Sequence, residues 1–198
     1  MRGKKLYLAK QAARKEIRAK AKSLPEAYYR EAGEKMTRLI QSWAPFREAR
    51  SVLAFMPIKG EVDIHPLVEE ILTLGKTLYL PRVDSVKKGI MSAVRISDLD
   101  DLVEGVWGIR EPAKEADSAP YSAIDLVLVP CLAASRDGLR MGKGGGFYDR
   151  FMKGYRGKAI LLCPEAFILE TVPMGYYDLA YTYVLTEEGI YKEGEKII

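Results

Sequence analysis

The chain opens with two segments whose apolar residues have helical spacing. The first covers residues 6–22 and repeats an apolar residue at every fourth position: Ala9, Ala13, Ile17 and Ala21. This spacing predicts a helix with one narrow apolar stripe. Ser23 suits the N-cap of a second helix, with Pro25 in its first turn. The apolar face predicted for that helix consists of Tyr29, Ala32, Met36, Leu39, Ile40 and Trp43.

From residue 51 onwards, short apolar runs alternate with helical segments. The runs predicted to be strands are SVLAF (51–55), TLYLP (77–81), MSAVRI (91–96), DLVLVP (125–130), AILLC (159–163) and TYVLT (182–186). Between the first two lies HPLVEEILTLG, a predicted helix that stops at Gly75. Strands that are almost wholly apolar and separated by helices are typical of a mostly parallel sheet covered on both faces. We therefore predict a single α/β domain over residues 1–198, with a helical part (1–45) and an α/β core (46–198).

Length and composition agree with one globular domain. The chain has 198 residues, of which 48% are hydrophobic and 29% charged. Its two cysteines, Cys131 and Cys163, lie far apart in the sequence and form no CxxC pair, so we expect no disulfide framework. The single histidine, His65, argues against a Ser-His-Asp or Cys-His catalytic site.

Nothing in the hydropathy pattern indicates a membrane. The longest apolar segment, AIDLVLVPCLAA, is interrupted by Asp125 and Pro130 and is shorter than the roughly 18–20 apolar residues of a membrane span. The first residues, MRGKKLYLAKQ, contain no apolar stretch like that of a secretory signal. We expect a cytoplasmic protein with no membrane partner.

Positive charge is concentrated at the amino terminus. The formal net charge is +4, yet residues 1–22 hold nine Lys/Arg and one acid, which leaves the rest of the chain net negative. Four of these cations repeat at helical spacing and form a basic ridge: Lys10, Arg14, Arg18 and Lys22. A nucleic-acid-binding domain more often carries a basic face across the whole domain. The ridge suits a small polyanion such as a nucleoside triphosphate, and we expect no nucleic-acid partner.

The segment after DLVLVP carries the strongest candidate chemistry. Residues 140–149 read RMGKGGGFYD and run into a predicted helix over 148–154. Alternating glycines let backbone N–H groups approach a phosphate, and two cations and a helix amino terminus add positive charge. The spacing matches neither the Walker A motif nor GxGxxG. The sequence predicts a phosphate cradle; a flexible surface loop with incidental charges is the alternative.

RMGKGGGFYDRF resembles the R-[LM]-G-x-G-x-G-[YF]-Y-D signature of the 5-formyltetrahydrofolate cyclo-ligase family. Further segments resemble the family in order and spacing: Lys10 with Arg14, FM (55–56) with GEVD (60–63), WGIREP (107–112), and residues 178–187. The chain departs from the family pattern where Ala134 and Ser135 replace the usual Phe-Asp. Thr182 stands where a second acid often follows Asp178.

The resemblance implies a CoA transferase-like α/β fold and a reaction that closes a ring in a folate. ATP would drive the conversion of 5-formyltetrahydrofolate to 5,10-methenyltetrahydrofolate, with ADP and phosphate released through a phosphorylated formyl (iminium phosphate) intermediate. It also implies Mg²⁺ as the metal, small molecules as the only ligands, and a monomer.

The resemblance assigns roles to particular residues. Those implied to bind ATP are Lys10, Arg14, Arg140, Met141, Gly142, Lys143, Gly144, Gly145, Gly146, Phe147 and Tyr148. Those implied to bind the folate are Met56, Glu61 and residues 143–147. Arg140, Lys143 and Tyr148 are the expected catalytic residues, and Asp149 and Asp178 the expected Mg²⁺ ligands.

Two other functions remain open at this point. A nucleic-acid-binding module could use the basic helix and the glycine segment, and its affinity would fall steeply with salt. A different enzyme on a related scaffold, such as a sugar-phosphate isomerase or an acyl-CoA transferase, is compatible with the same fold. The glycine segment argues against an isomerase, because an isomerase needs a placed base and no triphosphate cradle.

Overall fold

Helices surround a central sheet in the computed structural model, which describes residues 2–176 and 178–198. In these residues the α-helices are α1 (Arg2–Ser23), α2 (Glu26–Ser42), α3 (Ala44–Glu48), α4 (His65–Thr73) and α5 (Phe147–Gly154). None of the described helices is both long and apolar enough to cross a membrane.

The strands form one large sheet and two small ones. They are β1 (Ser51–Leu53), β2 (Thr77–Ser85), β3 (Ile90–Ile96), β4 (Val103–Glu104), β5 (Arg110–Glu111), β6 (Leu126–Pro130), β7 (Ala133–Ala134), β8 (Arg140–Met141), β9 (Lys158–Leu162), β10 (Tyr183–Thr186), β11 (Gly189–Lys192) and β12 (Glu195–Lys196). The large sheet has the order β12-β11-β10-β9-β6-β1-β2-β3. Its five central strands are parallel, and β3, β11 and β12 are added antiparallel at the edges. Strands β4 and β5 pair separately, as do β7 and β8.

A hydrophobic core lies on each face of the sheet. Along β6, Leu126 and Leu128 belong to one core, whereas Val127 and Val129 belong to the other. This alternation follows from the two-residue period of a strand. Helices α2, α3 and α4 contribute to the first core, and α1 and α5 to the second. The predicted fold class, a mostly parallel sheet with helices on both faces, is confirmed.

The predicted helices are present, but one cap was wrong. Ser23 belongs to the end of α1, where its hydroxyl donates to the Lys20 carbonyl at 2.7 Å. Pro25 occupies the N-cap of α2 and makes no side-chain cap bond. The Ser23 hydroxyl therefore satisfies a carbonyl at the end of one helix instead of an N–H at the start of the next. The apolar face predicted for α2 is confirmed: five of its six residues are buried and Leu39 is partly buried.

Strand ends differ from the prediction more than strand positions do. The first strand ends at Leu53, although apolar residues continue to Met56, and β2 extends four residues past Pro81. The very short strands of the two small sheets, together with β11 and β12, were not predicted, because two to four residues show no clear period. The division of the domain at residue 45 stays a prediction.

Gly33 allows α2 to approach the segment that follows β1. The Asp63 N–H donates to the Tyr29 carbonyl of α2 at 3.2 Å. A Cβ atom on Gly33 would lie 1.7 Å from the Asp63 carbonyl oxygen. This close contact positions the chain from residue 58 to 63, which carries Glu61.

We predict that Gly33→Ala lowers the free energy of unfolding by about 2 kcal/mol or more, because the added methyl group collides with backbone. The collision outweighs the roughly 1 kcal/mol by which alanine favours a helix over glycine. Urea denaturation followed by circular dichroism measures the change. Gly3→Ala in α1 is the matched control, since a Cβ there meets nothing within 4 Å. Equal stability of both variants would contradict the close packing of α2.

Candidate functional site

A cleft of about 370 Å³ lies at the carboxyl ends of the central strands. Phe55 and Met56, which follow β1, and Cys131, which follows β6, contribute to its wall. Helix α1 contributes Lys10 and Arg14 from the other side. This is the edge at which open parallel sheets bind ligands, because the loops after the strands converge there.

All of the sequence-predicted site residues line this one cleft. They are Lys10, Arg14, Met56, Glu61, Arg140, Met141, Gly142, Lys143, Gly144, Gly145, Gly146, Phe147, Tyr148, Asp149 and Asp178. The fold thus brings together positions from α1, from the segment after β1, from the glycine segment and from near the carboxyl terminus.

The glycine loop, residues 142–146, joins β8 to α5 in a conformation that requires glycine. Gly144 and Gly146 have φ values of 111° and 71°, in the region that side chains with a Cβ rarely adopt. Gly146 is also the N-cap of α5, so the loop ends at the positive end of that helix. The conformation accounts for two of the alternating glycines.

Arginines hold the glycine loop by its carbonyl groups. Arg14 Nε donates to the Gly142 carbonyl at 3.0 Å, and Arg18 Nη2 donates to that of Lys143 at 3.4 Å. From α5, Arg150 Nη1 donates to the Gly145 carbonyl at 2.8 Å. None of these bonds uses a loop N–H group. The backbone is therefore fixed through its acceptors, and no described residue accepts a hydrogen bond from an N–H group of residues 142–146.

Three ion pairs join the cations of the cleft to its acids. Lys10 pairs with Asp178, and Arg140 Nη1 lies 3.0 Å from Asp149 Oδ1. The Arg140 side chain is only 8% exposed, so the carboxylate offsets much of the cost of burying the guanidinium.

The third pair spans the cleft. Lys143 Nζ in the glycine loop lies 2.6 Å from Glu61 Oε1. The other oxygen of Glu61 accepts from the Ile58 N–H at 3.1 Å, and the Glu61 N–H donates back to the Ile58 carbonyl at 2.9 Å. This local turn fixes Glu61, so the flexible lysine is the partner that can move.

Tyr148 presents a buried hydroxyl next to these charges. Its oxygen has no hydrogen-bond partner within the described part of the chain. Burial raises the pKa of Tyr148, and the nearby Arg140 guanidinium, 5.5 Å from the ring centre, partly opposes that rise. The hydroxyl therefore stays protonated at neutral pH and is able to donate a hydrogen bond to an anion in the cleft.

Ser135 supports the base of the glycine segment despite its departure from the family pattern. The residue is buried, and its Oγ accepts from the Leu139 N–H at 3.2 Å. Its own N–H donates to the Leu139 carbonyl at 2.9 Å. Ala134, also buried, pairs with Arg140 across β7 and β8. A small hairpin is thus closed by serine and alanine without the usual Phe-Asp.

Sequence reasoning assigned no site role to Trp107, which also lines the cleft. Its side chain is 65% exposed, and its ring meets Phe147 edge to face at a centroid distance of 6.0 Å. The backbone φ of 61° is unusual for a bulky residue. A tryptophan beside Gly108 in WGIREP was the available signal, but only the fold shows that this turn reaches the glycine loop.

A second cavity of about 1140 Å³ adjoins the cleft. The two share wall residues, including Phe55, Glu61 and Lys143. Several cations line the second cavity: Arg18, Lys22, Arg30 and Lys59. An elongated ligand with an anionic end would fit across both spaces.

The described residues contain no group of three or more His, Cys, Asp or Glu side chains placed to hold a metal. Asp149 and Asp178 nevertheless both line the cleft. Mg²⁺ is commonly bound by one or two carboxylates together with phosphate oxygens of a nucleotide. The two aspartates therefore fit a magnesium ion that arrives with a triphosphate.

Comparison with known proteins gives one consistent family. The model of the 5-formyltetrahydrofolate cyclo-ligase family matches residues 7–187. The 5-formyltetrahydrofolate cyclo-ligase of Escherichia coli K12 is 27% identical over 180 residues, which cover 89% of this chain and 99% of that protein. A probable 5-formyltetrahydrofolate cyclo-ligase from Caenorhabditis elegans is 31% identical over 77% of each chain.

Solved structures agree with the sequence relatives. The NMR structure of 5,10-methenyltetrahydrofolate synthetase from Aquifex aeolicus superposes with a TM-score of 0.83 and 30% identity, covering 96% of this chain and 95% of that one. The match of the family model over nearly the whole chain confirms the resemblance. The chain belongs to the 5-formyltetrahydrofolate cyclo-ligase family.

Proposed function

We propose that this protein uses ATP and Mg²⁺ to convert 5-formyltetrahydrofolate to 5,10-methenyltetrahydrofolate, with release of ADP and phosphate. One observation carries the proposal: the glycine loop, its cations and the two aspartates line the same cleft as Met56 and Glu61. Family membership supports the folate reaction.

The triphosphate would bind along α1 and the glycine loop. Lys10 and Arg14 stand one helical turn apart on the side of α1 that faces the cleft. Free N–H groups of the loop and the amino end of α5 would add donors to the same anion. Binding would exchange partners, since Lys10 would leave Asp178 for phosphate while Asp178 would become available to the metal. Asp149 would separate from Arg140 in the same way.

The folate would bind between the glycine loop and the segment after β1. Met56 offers an apolar contact, and Glu61 offers an acceptor for N–H groups of the pterin ring. Lys143 would leave Glu61 and turn toward the formyl end or the phosphate. The remaining aminobenzoyl-glutamate part, which is anionic, would extend into the second cavity, where the cations are.

The chemistry requires little acid–base catalysis. A formamide carbonyl is a weak electrophile, and transfer of the γ-phosphoryl group to its oxygen yields an iminium phosphate and ADP. N10 then attacks the formyl carbon, the carbon–oxygen bond breaks, phosphate leaves and N10 loses its proton. Holding N10 beside the carbon gives a high effective concentration.

Arg140 and Lys143 would offset the charge on the phosphoryl oxygens, and Tyr148 would donate to one of them. Mg²⁺, when bound, would neutralise further phosphate charge.

The direct test is the ultraviolet absorbance of methenyltetrahydrofolate during incubation with 5-formyltetrahydrofolate. We expect absorbance to grow only when protein, ATP and Mg²⁺ are all present. If the absorbance stays constant although the folded protein still binds ATP, the nucleotide site stands and 5-formyltetrahydrofolate is not the substrate. Affinity for nucleic acid that falls steeply with salt, without ATP turnover, would favour the binding-module alternative.

We predict that Lys10→Ala weakens ATP binding roughly 10- to 150-fold, because a charge-assisted hydrogen bond contributes about 1.5–3 kcal/mol. Lys10 is a sharper test than Arg14, since Arg14 also holds the glycine loop. Titration calorimetry with ATP measures the effect. The matched control is Lys15→Ala, which removes the same charge from an exposed position of α1. If the two variants bind ATP equally well, Lys10 does not contact the phosphates.

We predict that Asp149→Asn raises the Mg²⁺ concentration for half-maximal turnover by about tenfold or more, since even outer partners of a metal contribute 10- to 100-fold to affinity. The asparagine oxygen is still able to accept from Arg140, so the fold is preserved. Asp137→Asn, at an exposed carboxylate, is the control. If the variant loses thermal stability but its turnover depends on Mg²⁺ concentration as in the wild type, Asp149 stabilises the start of α5 and does not bind the metal.

A further inference from the structure

Two cysteines that are distant in sequence are neighbours at the carboxyl edge of the sheet. Cys131 directly follows β6, and Cys163 directly follows β9. The strands are parallel, and the last residues of each, Pro130 and Leu162, are partners in the register. The next residue after each strand is a cysteine, so Cys131 and Cys163 extend neighbouring strands just beyond the last paired residues.

The spacing of this pair suits a disulfide. Neighbouring strands lie about 4.8 Å apart, and disulfides form across Cα separations of roughly 4.4–6.8 Å. Side chains at the same register position point to the same face, and both cysteines pack in the second core. Burial, with the Cys131 thiol within hydrogen-bonding reach, raises the pKa of the Cys163 thiol, so Cys163 stays protonated at neutral pH and is not the first of the two to react.

The two thiols differ in access. Cys131 is partly exposed and lines both the cleft and the second cavity, and its Sγ donates to the Leu162 carbonyl at 3.3 Å. Cys163 is fully buried behind it. A small reagent in the cleft therefore reaches Cys131 first, and Cys163 can respond only through Cys131.

We propose that Cys131 and Cys163 form an oxidisable dithiol in the wall of the cleft, with hydrogen peroxide as the oxidant. Cys131 sulfur attacks the peroxide, the O–O bond breaks, and a sulfenic acid and water form. Cys163 sulfur then attacks the sulfenic sulfur, which releases a second water and leaves an intramolecular disulfide. Each peroxide thus removes two electrons and two protons from the pair.

Oxidation at this place would disturb the glycine segment. The Leu132 N–H donates to the Met141 carbonyl at 2.8 Å, and Arg140 Nε donates to the Pro130 carbonyl at 2.9 Å. Both residues that flank Cys131 therefore support the start of the glycine segment. Drawing Cys131 toward Cys163 would shift these contacts and lower turnover; this consequence alone rests on the proposed function.

The experiment treats the reduced protein with hydrogen peroxide and counts free thiols by alkylation under denaturing conditions. We expect both thiols to be lost together, with an intact mass lower by two hydrogens, a monomer on a non-reducing gel and full reversal by dithiothreitol. Retention of both thiols would overturn the proposal, as would added oxygen without loss of hydrogens or a disulfide between two chains.

Two variants separate the roles of the thiols. In Cys163→Ser, we expect Cys131 to stop at a sulfenic acid that dimedone traps. In Cys131→Ser, we expect Cys163 to survive the same treatment, because its only route to the oxidant is gone. Loss of Cys163 at the wild-type rate in that variant would refute the order of reaction.

Enzymatic turnover is measured separately on the same peroxide-treated samples. We expect activity to fall as the disulfide forms and to return on reduction. If the reduced protein shows no turnover of 5-formyltetrahydrofolate but still forms the disulfide, the proposed function is wrong and the dithiol proposal stands. If the oxidised protein retains full activity, the two cysteines are a modification site, but the disulfide does not disturb the cleft.

Discussion

The parallel register of β1, β6 and β9 is the constraint on which the site depends. Because these strands run in one direction and pair side by side, the residues that follow them meet at a single edge. Each strand is buried on both faces, so a slip of one residue would exchange the side chains of two cores. The small β7–β8 hairpin that leads into the glycine loop starts from this edge, because β7 follows β6 after two residues.

Most of the charge in the cleft is paired before any ligand binds. Three cations of the site are paired with three acids of the same site, and the pairs link elements far apart in the chain. Unpaired, these groups would be costly to hold in a partly buried cleft. Under the proposed function, a magnesium–triphosphate complex, which carries both signs of charge, would replace both partners of a pair at once.

The limits of the sequence-based prediction have particular causes. The apolar face of α2 and the positions of the buried strands were predicted because their periods extend over many residues. Ser23 was misassigned because a serine between two helices suits the end of one as well as the start of the next. Ser135 fits the hairpin through its own hydroxyl and backbone, which a comparison of residue types does not reveal. Trp107 lies near the glycine loop only through the path of the chain between β3 and β6.

The sequence by itself determined the fold class and the family, and it predicted a phosphate site at the glycine segment, because each depends on local periodicity or on a contiguous motif. The tertiary structure alone decided which cation pairs with which acid, how far the second cavity extends from the cleft, and that Cys131 and Cys163 stand side by side. Those relations follow from strand order and register. They join residues that are distant in the chain, and no local pattern encodes the distance between them.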